Sequence, residues 1–197
     1  MRLCLVLSVF VLSSLSIVTG QTSAKKASDT PASGDCGLVY GKGHAFWVCA
    51  PKGWVLDNGI LNDQGIYAAF YPQGSSWDKA KENGTVMYVN TARKAPPDDD
   101  VATLMKNDAE DTKADAPKAE IHEADPIKTK KVTARVQQFT PGAFDRFEAV
   151  AYIDSPEVIV MIVVSSKDAK TFNRDYPVFK ELVGSYEFMT ADVHLPN

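Results

Sequence analysis

The runs Val132-Thr-Ala-Arg-Val-Gln-Gln-Phe139, Phe144-Asp-Arg-Phe-Glu-Ala-Val-Ala-Tyr-Ile153 and Val158-Ile-Val-Met-Ile-Val-Val164 decide the fold. They are rich in β-branched and aromatic residues and are separated by Pro141-Gly142 and by Asp154-Ser-Pro-Glu157. Short runs of that composition bounded by turn residues read as strands, and the brief connections make an antiparallel meander. In the second run Phe147, Ala149, Ala151 and Ile153 alternate with Arg146 and Glu148, the period of a half-buried strand. The third run is apolar at every position, so it is predicted to be central, with both sheet faces covered.

The segment after that strand supplies one cover. Ser166 and Asp168 are helix N-cap candidates, and Phe172, Tyr176, Phe179 and Val183 fall on one helical face. Pro177 lacks an N–H and restricts Tyr176, so a kink or restart is expected near Asp175. Gly184 suits a helix stop, and Ser185 to Phe188 read as a last edge segment.

Upstream, Thr85 to Asn90 and the compact run Ile66 to Tyr71 read as strands. Pro51-Lys-Gly-Trp54 leads into Val55 and Leu56, with a turn at Asn58-Gly59. Ser76 to Glu82 fit one or two helical turns. Asp98, Asp99 and Asp100 suit a helix N-terminus, where carboxylates accept from free N–H groups; with Val101, Leu104 and Met105 on one face, they predict a short helix over about 99–112. The fold class is therefore α+β, a mainly antiparallel sheet covered by helices.

Two apolar runs, Cys36-Gly-Leu-Val-Tyr40 and Ala45-Phe-Trp-Val-Cys49, flank Gly41-Lys-Gly-His44. Folded as a hairpin, Tyr40 faces Ala45, Leu38 faces Trp47 and Cys36 faces Cys49. The two sulfurs then share one register, and a bridge closing so short a loop contributes about 3 kcal/mol in the chain-entropy model. A redox dithiol normally carries C-x-x-C spacing, which this pair lacks, so Cys36 and Cys49 are read as a structural staple.

The first residues carry an export signal. Arg2 precedes an apolar stretch from Leu3 to Val18, and Val18-Thr19-Gly20 offers small residues for cleavage after Gly20, with Ala24 as the alternative site. The stretch is short and serine-rich for a transmembrane helix. The expected organisation is a signal peptide at 1–20, a flexible linker at 21–35, a single α+β domain at 36–190 and a tail at 191–197. An exported location, periplasmic or extracellular, agrees with a paired Cys36 and Cys49. The formal charge of −4 becomes one unit more acidic once Arg2 is removed, which gives no electrostatic footprint for nucleic acid. No membrane span is expected in the mature form.

With Pro51-Lys-Gly-Trp54, the Asp98 to Asp100 helix start, the Val132 to Val164 meander and the Phe172 to Val183 helix before Ser185-Tyr186, the chain resembles the PsbP-like α/β/α sandwich superfamily, which includes the DcrB-like exported bacterial proteins. The resemblance spans most of residues 45 to 188 and lies in the order of elements. It implies an α/β/α sandwich. The superfamily has no shared catalytic residues and its members mostly act as accessory or binding proteins, so a binding role is what the resemblance implies. The Cys36–Cys49 hairpin is an addition to that pattern.

Local chemistry is sparse. The three histidines are His44 in the predicted turn, His122 in a strand-like stretch and His194 in the tail, all read as surface residues. No Gly-x-Ser-x-Gly elbow occurs. Asp98 to Asp100 lack calcium-loop spacing, and His122, Glu123 and Asp125 lack zinc spacing. No catalytic residue, metal or cofactor is assigned. Asn83-Gly84-Thr85 matches a glycosylation sequon and also an Asn-Gly turn. Trp77 stands in the polar segment Gln73-Gly-Ser-Ser-Trp-Asp-Lys near Tyr71. Tyr71 and Trp77 are the candidate partner contact, the other reading being a loop anchored by Trp77 in the core. Two functions follow: an exported non-catalytic accessory or binding protein for a protein or apolar ligand, or an exported hydrolase-type enzyme whose site is assembled from distant residues.

Overall fold

The computed structural model describes residues 35–59, 61, 64–141 and 145–193. The leader, most of the predicted linker and His194 lie outside these residues. The order is β1 (Cys36–Gly41), β2 (His44–Cys49), β3 (Trp54–Asp57), β4 (Ala68–Pro72), α1 (Trp77–Asn83), β5 (Thr85–Arg93), α2 (Val101–Asp115), β6 (Glu120–Lys128), β7 (Thr133–Thr140), β8 (Phe147–Asp154), β9 (Val158–Ser166), α3 (Ala169–Gly184) and β10 (Glu187–Thr190).

A seven-stranded sheet in the order β3-β4-β5-β9-β8-β7-β6 is antiparallel throughout. The predicted meander is its centre. β9 lies between β5 and β8, and both of its faces are covered: Val160 and Ile162 join the core under α3, while Ile159 packs with Leu104 and Met105 of α2. The sequence missed β6 as a full strand. Its side chains are mostly exposed, with only Ile127 fully buried, so an edge strand forms there without an apolar alternation to announce it.

Asp168 caps α3 by accepting from the Thr171 N–H at 2.8 Å. Phe172, Phe179 and Val183 are buried as predicted, while Tyr176 is partly buried against them. The helix does not restart at Pro177, which lies inside one helix from Ala169 to Gly184. Pro177 and Asn173 both face solvent, so the carbonyl deprived of its helical donor lies on the wet side, where water satisfies it. Asp100 caps α2 at 2.9 Å from the Thr103 N–H, and that helix extends to Asp115, three residues beyond the predicted end.

The hairpin register holds as read: Tyr40 pairs with Ala45, Leu38 with Trp47, and Cys36 with Cys49, which are disulfide-bonded. The turn is tighter than expected. Gly41 pairs with His44, leaving only Lys42 and Gly43 in the loop, and Gly43 takes φ 82°, a left-handed conformation natural to glycine. β10 adds to β2, so hairpin and C-terminal strand form a small sheet of order β1-β2-β10. Val39, Phe46 and Val48 of this sheet join α3 in covering one face of the large sheet. The layers are small sheet with α3, large sheet, then α1 with α2.

Candidate functional site

The α1–α2 face of the large sheet is the less covered one. Strand register sets its side chains in rows. One row runs Tyr88, Val163, Val150 and Gln137; the next runs Val86, Ser165, Glu148 and Phe139. α2 covers the neighbouring row through Leu104 and Met105 on Tyr152, Met161 and Ile159. Trp77 opens α1 and sets its ring edge-on to Tyr88, centroids 6.2 Å apart. Between the two helices Tyr88, Val150, Gln137 and Glu148 of these rows stay only partly buried, a shallow trough, while Val86, Val163, Ser165 and Phe139 beside them are buried.

Arg146 fixes one side of this trough. It donates to Ser165 Oγ at 2.7 Å and the Ser165 carbonyl at 2.9 Å, and to the Lys81 carbonyl at 2.7 Å. A guanidinium on the carbonyls ending a helix suits the helix dipole, so Arg146 ties the end of α1 to β9. Beyond it a hollow of about 480 Å³ is lined by Asp78, Lys81, Glu82 and Arg146. On the other side a cleft of about 190 Å³ is lined by Asp108, Asp111, Thr112 and Asp115 of α2 with Phe139, Glu148 and Val150 of the sheet.

Burial governs the ionisable groups here. It raises the Glu148 carboxyl, against the opposing effects of the Ser165 hydroxyl and Arg146. It raises Asp108 too, although the Tyr152 hydroxyl donates to Asp108 Oδ2 at 2.7 Å. Tyr88 is pushed up by burial and then by the negative charge of Glu148. The oxygens Asn90 Oδ1 and Gln137 Oε1 are buried on the same face without a hydrogen-bond partner. This is the polar side of the sheet, in contrast to the dry α3 side.

The two candidate contact residues are brought to one end of this face. Trp77 is half-buried, and it is the first residue of a helix, not part of a loop. Tyr71 lies on β4, its hydroxyl donating to Asp57 Oδ2 at 3.3 Å. Sequence reasoning did not single out Tyr88, Arg146, Glu148 and Asp108. The alternation of Arg146 and Glu148 opposite Phe147 and Ala149 was the available signal, and it shows the face but not the neighbours. Among the described residues no His/Cys/Asp/Glu group has the arrangement of a metal site.

His44 departs from expectation. It is a strand residue, 1% exposed, packed on Phe46 and Tyr67 with neither ring nitrogen hydrogen-bonded. A Cβ on Gly41 would come within 2.6 Å of the imidazole, which explains glycine there. Burial lowers the His44 pKa below 6.5, outweighing the opposing pull of the Lys42 backbone, which approaches the ring without a well-formed hydrogen bond. The sign follows: above 6.5 the ring is neutral folded or unfolded, and the stability of the fold is fully present. As pH falls below that value the unfolded chain takes up a proton the folded chain resists, and stability is lost down to the lower folded pKa. Thermal melts between about pH 7 and pH 5 should show a decline that is shallower in His44→Phe. Identical slopes would remove His44 from the acid response.

No protein-family model and no curated protein matches the chain. Solved structures do. The solution structure of cyanobacterial PsbP (CyanoP) from Synechocystis matches with a TM-score of 0.52 at 12% identity, covering 81% of this chain and 94% of that one. The Saccharomyces cerevisiae Ran-binding protein Mog1p matches with a TM-score of 0.47 at 9% identity over 80% of this chain and 96% of its own. A Mog1 point mutant gives 0.46 at 10% identity, over 80% and 97%. The likeness at such identity is one of fold, and it agrees with the element order read from the sequence: the chain has a PsbP-like α+β fold with a disulfide-bonded N-terminal hairpin.

Proposed function

We propose that this chain is an exported, non-catalytic accessory protein that binds a partner polypeptide through the trough between α1 and α2, with Tyr71 and Trp77 at one end. The observation that carries the reading is the trough itself: a partly covered stretch of sheet with an aromatic pair, Trp77 on Tyr88, and two hollows, one beside Arg146 and one beside Glu148. Aromatic side chains held at the edge of a concave polar surface are typical binding anchors. Two hydroxyls of this face are engaged, Ser165 with Arg146 and Tyr152 with Asp108. By strand register His122 falls in the row of Gln138 and Ala149, on the opposite sheet face. Export is supported by the Cys36–Cys49 bond, which persists in oxidising compartments; the proposed leader 1–20, cleaved after Gly20, would take the chain there.

Trp77→Ala tests the site with two readouts. Thermal stability should change little, because Trp77 is half-buried and rests on Tyr88 alone among the aromatic rings. Capture of native partners from a host envelope or secreted fraction should fall about tenfold or more, the loss of one interface anchor. Unfolding without a selective binding loss would make Trp77 a core anchor and remove the site.

A further inference from the structure

On the opposite side of the large sheet, the small sheet keeps a free edge. With Gly41 and His44 closing a two-residue turn, antiparallel alternation directs the N–H and C=O of Gly37, Val39 and Gly41 toward β2. Those of Leu38 and Tyr40 point the other way, and no described residue bonds them. A cleft of about 400 Å³ runs along this edge, walled by Leu38, Val39 and Tyr40 on one side and Asn58, Gly65 and Tyr67 on the other.

β1 itself carries two exposed apolar side chains. The large hydrophobic side chains exposed among the described residues are Leu38, Tyr40, Met189 and Val132. Leu38 and Tyr40 stand on β1, whereas Met189 belongs to β10 at the other edge of the small sheet, and Val132 follows Lys130 and Lys131, which pair with Glu187 of β10. Exposed apolar groups gathered on one face mark contact surfaces, and an unpaired edge strand is a template for another strand.

We propose that β1 is a docking strand for an extended segment of a partner polypeptide, added antiparallel in this cleft. Charge sets its chemistry. Exposed Asp35 precedes β1 and exposed Lys42 follows it. An antiparallel strand lays its C-terminal end beside Asp35 and its N-terminal end beside Lys42, so it is acidic first and basic last, with apolar residues opposite Tyr40 and Leu38. A second copy of this chain fits less well: it would have to bring its own β2 and its own cleft wall into the same gap.

The test uses the exported protein and two blocked peptides, Asp-Thr-Val-Thr-Val-Thr-Lys and its charge-reversed form Lys-Thr-Val-Thr-Val-Thr-Asp. The first should protect the Leu38 and Tyr40 amides from hydrogen exchange, and the second should bind more weakly. Tyr40→Pro removes an outward N–H while leaving the bonds to β2, a position where an edge strand tolerates proline. It should weaken the first peptide about tenfold, with Val39 exchange reporting that the hairpin persists. Should that variant fray, Leu38→Lys, which keeps the backbone and puts a charge at the edge, should show the same loss. Protection elsewhere, equal affinity for both peptides, undiminished binding by a folded variant, or self-association without peptide protection would each overturn the proposal. None of these measurements involves the α1–α2 trough.

Discussion

Val160→Asp should leave no folded protein at 37 °C in the soluble fraction, and Ile162→Asp should do the same. Both side chains are 0% exposed in the strand between β5 and β8. Val160 pairs with Thr91 on one side and Ile153 on the other, beneath the small sheet and α3. The buried groups around it offer no cation, so an ionised carboxylate would be uncompensated, costing several kcal/mol. Removing the buried valine loses about 2 kcal/mol more. The sum reaches the whole stability of an ordinary domain, roughly 5–15 kcal/mol. Val132→Asp is the control, since Val132 is 40% exposed and tolerates a charge. A cooperative melt near the wild-type temperature for Val160→Asp would show that this strand is not the covered centre of the sheet.

Replacing Cys36 and Cys49 together by serine should cost about 3 kcal/mol, the loop-closure entropy of a bridge spanning 13 residues. For a domain of this size that is a fall in Tm of roughly 10 °C. The loss should begin locally. β1 pairs only with β2, and of its side chains Val39 alone joins the main core. Exchange at β1 amides should therefore rise before that of β9. A loss below about 1 kcal/mol would mean that the packing of Val39 and Phe46 already holds the hairpin without the bridge.

The legible parts of this fold are those whose information is local. The hairpin register could be counted outward from Gly41 to His44, because each pair is fixed by its neighbour and the cysteines confirm it. β9 was legible because an all-apolar strand admits only a covered position. Pro177 does not end the helix, because its effect depends on whether the unpaired carbonyl meets water or protein, and a sequence does not state which. The two-residue turn makes His44 an inward strand residue, whereas a four-residue turn would leave it at the surface.

The candidate site was legible only at its rim. Tyr71 and Trp77 stood out as aromatics near polar residues. The floor was not legible, because it forms through pairing of distant strands: Arg146 reaches Ser165 across 19 residues and the Lys81 carbonyl across 65. Tyr88 and Glu148 meet only because both β5 and β8 pair with β9. Such neighbours are set by topology, and single-strand alternation gives the face without the company.

The trough between α1 and α2 is the proposed seat of the partner. Site-specific photo-crosslinking in the native host measures this most directly, with the crosslinking side chain placed at Lys81, which lines the hollow beside Arg146, and separately at Asn173 on the solvent face of α3. A partner in the trough gives a discrete protein adduct from position 81, diminished by Trp77→Ala, and none from position 173. Adducts from 173 alone, or an adduct at 81 indifferent to Trp77, would contradict it.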